Sequence, residues 1–213
     1  MTTTLIKAKQ ISIGEVHRLL GFQRSHNDSF SALLSLESLT EYEENELKQI
    51  CEDFDCYLAE GKVLEGMVNV LTTFPLMRLA GFYHAPITIY LERDIDNITI
   101  IDEDVTIAGR LDILSVNKNI TVSNQFFWVL LIESKNSAIA ASEGLPQLLT
   151  YAYESLNHQK SIWSLTTNGQ NYQFAFLQAG TPYSYQLLPL LSLVEPNSSI
   201  QLLQVLKAIC KLT

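Results

Sequence analysis

The amino-acid sequence predicts an α/β domain built on a mixed central sheet flanked by helices, with a helical segment at its N-terminal end. Three observations predict it. Residues 126–133 (FFWVLLIE) are seven apolar side chains, rich in aromatic and β-branched types, ending on an acid, which is the pattern of a strand buried on both faces. Ser161–Thr167 and Tyr172–Leu177 flank Asn168-Gly169, and Asn-Gly between two apolar runs is a strong hairpin signal. Between these strand signals, Leu145, Leu148, Leu149, Ala152 and Leu156 recur at helical spacing. Helices, then antiparallel strands, then a helix and more strands describe one α/β domain with a mixed sheet.

In chain order, Ile11–Leu20 is short and amphipathic and predicts a helix, and the polar stretch Gln23–Ser29 predicts a loop. Thr40 with Glu43 three residues on is a capping-box pattern that opens a helix running to about Glu60. A second helix is expected over Val63–Leu79, with Glu65 near its start and Pro75 kinking or ending it. Ile87–Glu92, Ile98–Ile101 and Val105–Leu114 alternate as strands, with an acidic turn, Asp102–Asp104, between the last two. Ser142 is expected to cap a helix through roughly Leu156, with Pro146 in its first turn. Tyr183–Val194 adds an edge segment and Ser198–Cys210 a closing helix. No repeat or linker interrupts this series, so a single domain over 1–213 is expected: a helical extension over 1–62, a core over 63–180, and a C-terminal strand and helix over 181–213.

Composition narrows the class. A hydrophobic content of 47% with 17% charged residues describes a globular chain with a large core. Met1–Gln10 lacks the apolar centre of a signal peptide, and the late apolar run Tyr185–Val194 is too short to span a bilayer, so no membrane is expected. Cys51, Cys56 and Cys210 form no CxxC pair, which predicts a reduced, cytoplasmic setting, and the four histidines show no zinc-ligand spacing. The net charge of -9 argues at first against nucleic acid. Its distribution weakens that objection, because residues 37–60 alone hold nine of the 23 acids and a single base, Lys48. The rest of the chain is nearly neutral.

The chemistry-bearing residues follow the apolar run. Glu133 and Lys135 project to one side of their strand and Ser134 to the other, and Asp112 sits at a matching place on a preceding strand. Charged groups at the tip of a core strand are costly unless paired or used. Two carboxylates at adjacent strand ends can hold Mg²⁺, a hard cation that takes oxygen ligands, and the Ser134 carbonyl is a natural further ligand. Lys135 would neutralise developing charge or orient an attacking water. On the next helix, Gln147 and Tyr151, four apart, lie together away from the leucine face and must meet either solvent or the cleft beside Glu133 and Lys135.

Asp112, Glu133-Ser134-Lys135 and Gln147-Leu-Leu-Thr-Tyr151 resemble the PD-(D/E)XK nuclease superfamily, in the branch whose motif continues with QxxxY. That branch includes RecB-like nucleases and type I restriction subunits, and Leu165–Phe174 is similar to the strand-TNG-strand segment of the latter. The resemblance covers roughly Glu65 to Leu177. It implies a restriction-endonuclease-like sheet flanked by helices, DNA as substrate, and Mg²⁺ as metal with Mn²⁺ as a substitute. By that resemblance Asp112 and Glu133 are metal ligands, Lys135 is the catalytic lysine, and Gln147 and Tyr151 support the site. Glu65 resembles the acid many members carry on an early helix. Leu111 stands where the motif has proline, and no GxxxxGK[ST] phosphate loop is present, so only the nuclease part of a type I subunit is matched.

Two functions are therefore expected in order. The first is a metal-dependent DNA endonuclease in restriction, repair or mobile-element biology. The second is a non-catalytic module that keeps the fold and acts through a partner. An intact acid-acid-lysine set favours the enzyme. The acidic helix and modest basic content favour the module. Beside DNA, a protein partner or homo-oligomer is an expected partner, and a partner that supplies DNA affinity would explain a nuclease inactive in isolation.

Overall fold

The computed structural model describes residues 4–25, 29–95, 97–122 and 125–212. Strand β1 (Thr4–Lys7) is followed by a 3-10 turn (Ala8–Gln10), α1 (Ile13–Leu20) and β2 (Phe22–Ser25). Next come α2 (Glu41–Ala59), α3 (Glu65–Val68), a π-helical turn (Asn69–Thr73) and α4 (Phe74–Ala80). The middle of the chain forms β3 (Ile87–Asp94), β4 (Ile98–Ile100), β5 (Val105–Ala108), β6 (Arg110–Val122) and β7 (Gln125–Ser134). A 3-10 turn (Ala141–Gly144) leads into α5 (Leu145–Leu156), then β8 (Ser161–Thr167), β9 (Asn171–Gln178), β10 (Tyr183–Leu187), β11 (Leu191–Ser192) and α6 (Pro196–Cys210).

Local chemistry explains most boundaries. Ser12 with Glu15, and Thr40 with Glu43, form reciprocal capping boxes at α1 and α2, each cap contributing about 1 kcal/mol. The kink expected at Pro75 takes the form of the π turn, in which the Phe74 N–H bonds the Asn69 carbonyl. This wider turn makes room for a ring that would otherwise press on the carbonyl four residues back. Ser142 does not cap the next helix; it lies in the 3-10 turn, and α5 starts at Leu145 with Pro146 in its first turn. Of the loop expected over Gln23–Ser29, residues 26–28 lie outside the described residues, and 23–25 belong to β2. Those polar residues are a strand because β10 pairs with them in parallel, a long-range contact that no local pattern announces.

The large sheet runs β2-β10-β9-β8-β7-β6-β3, with β11 beside β9. It is mixed: β7 and β8 are parallel, as are β10 and β2, and the other pairs are antiparallel. A parallel neighbour requires a crossover, and α5 supplies the one between β7 and β8. Helices cover both faces. On one, Leu47, Phe54, Leu76 and Leu206 pack on Ile132, Leu165 and Phe174; on the other, Val16, Leu148 and Leu149 pack on Leu114, Leu131 and Leu177. Strand β7 is central and buried from Trp128 to Ser134, as its composition predicts. The Asn168–Asn171 turn closes β8 onto β9, with Gly169 at φ +88.

A second, three-stranded sheet in the order β1-β5-β4 stands beside the first. Its presence corrects the single strand expected over Val105–Leu114. The chain breaks at Gly109, so that β5 joins the small sheet and β6 the large one. A Cβ at Gly109 would lie 2.6 Å from Tyr151 Cε1 and 2.8 Å from Ala8 Cβ. The break is thus a close approach between the small sheet and α5 that a side chain would prevent. Gly109→Ala is expected to lower stability by about 1–3 kcal/mol through overpacking, read as a lower denaturant midpoint. An unchanged midpoint would show that Ala8 and Tyr151 yield freely.

Candidate active site

The register of β6 on β7 assembles the centre. Ile113 pairs with Ile132 in antiparallel fashion, which carries Asp112 to the Glu133–Ser134 peptide. There the Ser134 N–H donates to Asp112 Oδ2 at 2.8 Å, so the carboxylate takes the place of a ladder acceptor where the strands end. Glu133 shares the α5 side of β7 with Leu131 and is only 1% exposed. Its Oε1 accepts from Lys135 Nζ at 2.5 Å. Its Oε2 is buried with no hydrogen-bond partner among the described residues. Ser134 points the other way, its hydroxyl donating to Asn69 Oδ1 at 2.6 Å.

Helix α5 completes the arrangement. Lys135 Nζ also donates to Gln147 Oε1 at 3.2 Å. A lysine offers only donors, so the Gln147 carbonyl faces it and the amide is left to donate to Tyr151 Oη at 2.7 Å. Gln147 and Tyr151 are 8% and 1% exposed. Of the two environments open to them, they occupy the cleft. Sequence periodicity gives α5 a single apolar face, whereas the helix is buried nearly all round, from Leu145 through Ala152 apart from half-buried Pro146. The small sheet and α1 cover the side that a simple surface helix would show to water.

Electrostatics mark the site as strained. Burial first, and the nearby Asp112 charge second, push the Glu133 carboxyl up to about 8 despite Lys135. Burial raises Asp112 to about 6, opposed by its bond from Ser134 and assisted by Glu65. Tyr151 is pushed up mainly by burial and then by the Glu133 charge. Glu65 lines the same cavity of about 630 Å³ as Asp112, Glu133, Lys135 and Gln147. Among the described residues no three His, Cys, Asp or Glu side chains form a ready-made cluster for a metal ion. The donor set that is present fits a hard divalent cation: two repelling carboxylates, one with an unsatisfied buried oxygen, and the Ser134 carbonyl, the remaining polar group of a residue whose N–H and hydroxyl are both engaged.

Three contributors escape the sequence reading. Asn69 reaches Ser134 from the π turn, and Lys7 and Lys9 line the cavity from the N-terminal segment. Only their charge could have hinted at the lysines, and nothing in the sequence marks Asn69. No helix is long and apolar enough to cross a membrane among the described residues.

No family model matches the chain, and no curated protein matches it. Among solved structures, it is similar to a fragment described as an HsdR subunit of a type I restriction enzyme from Vibrio vulnificus YJ016, with 18% identity and a TM-score of 0.40. The likeness covers 66% of this chain and 25% of that one, so the chain spans about a quarter of that structure's length.

The burial of the Asp112 carboxyl has a measurable sign. A raised folded-state pKa means that the folded protein holds a proton that the unfolded chain releases, so stability falls as pH rises from about 4 to about 6 for Asp112. Asp112→Asn keeps an acceptor for the Ser134 N–H and removes the charge. In chelator, the variant is expected to exceed wild type by on the order of 1–3 kcal/mol at pH 8, and to converge with it near pH 4. Urea unfolding at both values decides, and equal stabilities at pH 8 would mean that burial does not disfavour the Asp112 charge.

Proposed function

We propose that the chain is a divalent-metal-dependent nuclease that hydrolyses phosphodiester bonds in DNA. The observation that carries this reading is the buried, partnerless Oε2 of Glu133 beside Asp112, with Lys135 bound to the other oxygen. A scaffold gains nothing from such an arrangement, because an unsatisfied buried carboxylate oxygen is destabilising. Asp112, Glu133 and the Ser134 carbonyl would hold Mg²⁺, or Mn²⁺ in its place, with Glu65 on the adjoining wall. When bound, the cation supplies charge neutralisation at the phosphate and a more acidic bound water.

The chain's own residues account for the remaining tasks. Asp112 is oriented by the Ser134 N–H. Lys135, anchored by Glu133 and Gln147, presents a fixed positive charge toward the phosphate and the attacking water. Gln147 prevents the ammonium from swinging away, and Tyr151 holds Gln147 while walling the cleft. The reading as a non-catalytic module finds its support in the exposed acids of α2, although Glu43 and Glu37 of that acidic segment pair with Lys207 and Lys211 at the end of the chain.

Purified protein with plasmid and linear DNA is expected to cleave in Mg²⁺ or Mn²⁺ and not in chelator. Lys135→Ala is expected to lower the rate by roughly 10²–10⁴-fold. Gln147→Ala, which removes one bond to a charged group, should cost on the order of tenfold to hundredfold. Both variants are expected to remain folded by circular dichroism. Metal binding without cleavage on either substrate would favour the module instead.

A further inference from the structure

Lys7 and Lys9 stand on the wall of the cavity that holds Asp112, Glu133 and Lys135, yet neither belongs to the motif. Their placement is built into the fold. Lys7 ends β1, which runs parallel to β5 with Lys7 opposite Ala108. Ala8, between the two lysines, is fully buried. It lies against Gly109 at the spot where an added Cβ would be 2.8 Å away, and Tyr151 lies on the same spot. Tyr151 holds Gln147, and Gln147 holds Lys135. The lysine pair is therefore fastened to the reacting groups through direct packing.

Charge gives the placement a purpose. The other cations on this cavity are already engaged, Lys135 with Glu133 and Arg110 with Glu92 at 3.3 Å. Lys7 and Lys9 have no acidic partner among the described residues. The cleft thus sets Lys7 and Lys9 beside Asp112 and Glu133, with Asp94 also on its lining. A second cavity of about 530 Å³, beside Phe74 and Leu91, is also lined by Glu65 and Asp112, so these two acids border both hollows.

We propose that Lys7 and Lys9 grip the phosphate backbone of a nucleic-acid strand beside the bond to be cleaved. The inference rests on the nuclease reading and adds residues outside its motif. In a chain of net charge -9, binding a polyanion depends on cations at the point of contact. Acids more than about 8–10 Å away are largely screened at physiological salt, whereas Lys7 and Lys9 act within hydrogen-bonding reach of the strand.

The test is fluorescence anisotropy with labelled single-stranded and duplex oligonucleotides, Ca²⁺ replacing Mg²⁺ to suppress cleavage, over a salt series. Wild type is compared with Lys7→Gln/Lys9→Gln, with Lys7→Arg/Lys9→Arg, and with Lys118→Gln/Lys160→Gln, whose lysines are exposed and away from the cavity. The first pair is expected to bind roughly tenfold more weakly or worse. It should also lower the slope of log affinity against log salt by about 1.4–1.8, the release of two phosphate contacts. The arginine pair and the Lys118/Lys160 pair should match wild type. Unchanged affinity in the Lys7/Lys9 glutamine pair, equal losses in both glutamine pairs, or the same loss in the arginine pair would overturn the inference while leaving the nuclease reading intact. A wild type that binds neither oligonucleotide even at low salt would overturn both.

Discussion

Burying the carboxylate of Glu133 at the end of the most apolar strand is the constraint on which the rest of this site depends. An isolated charge so placed costs several kcal/mol, so it must be compensated by groups that have needs of their own. Lys135 answers the charge on one oxygen. Its ammonium, mostly withdrawn from water, needs a further acceptor, which Gln147 provides. The Gln147 amide then needs an acceptor, which is Tyr151. Tyr151 in turn needs a place to lie, and only a residue without a side chain at position 109 leaves that place open. Each link exists because the previous one would otherwise be left unsatisfied.

The compensation stops one atom short. Glu133 Oε2 has no hydrogen-bond partner among the described residues, and the carboxyl feels the charge of Asp112, which is itself held by a backbone N–H. A buried carboxylate oxygen left open in this way lowers stability, and such an opening is what a site that acts on something else would keep. The rigid setting suits that use. Strand β7 is hydrogen-bonded on one edge to β6 and on the other to β8, and layers of helix cover both faces. The strand ends that carry the two carboxyl groups are therefore held in place.

What was legible in the sequence was local. The apolar run of β7, the capping box at Thr40, the hairpin around Asn168-Gly169 and the leucine spacing of α5 each carry their cause within a few residues. The alternation that puts Glu133 and Lys135 on one side is likewise a property of the strand alone, and their contact follows from it. What was not legible depends on pairing across the chain. Phe22–Ser25 is a strand only because β10 lies beside it, and Thr4–Lys7 only because β5 does. The break at Gly109 could not be told from a glycine within a strand, because its cause is a tyrosine on a helix far along the sequence. Asn69 reaches Ser134 through a π turn whose register no helical periodicity anticipates.

Under the proposed function, the same long-range pairing eases the conflict between an acidic chain and a polyanionic substrate. Net charge governs the field at a distance, and a value of -9 slows the approach of DNA. Contact is decided by the groups within one screening length of the strand, where the acids of α2 count for little. Because β1 pairs with β5, two lysines from the start of the chain arrive at a cavity whose floor comes from its middle. Charge summed along the sequence treats those lysines as unrelated to Asp112 and Glu133. Folding makes them neighbours, so a total taken over the whole chain has the wrong sign for the wall that a substrate would touch.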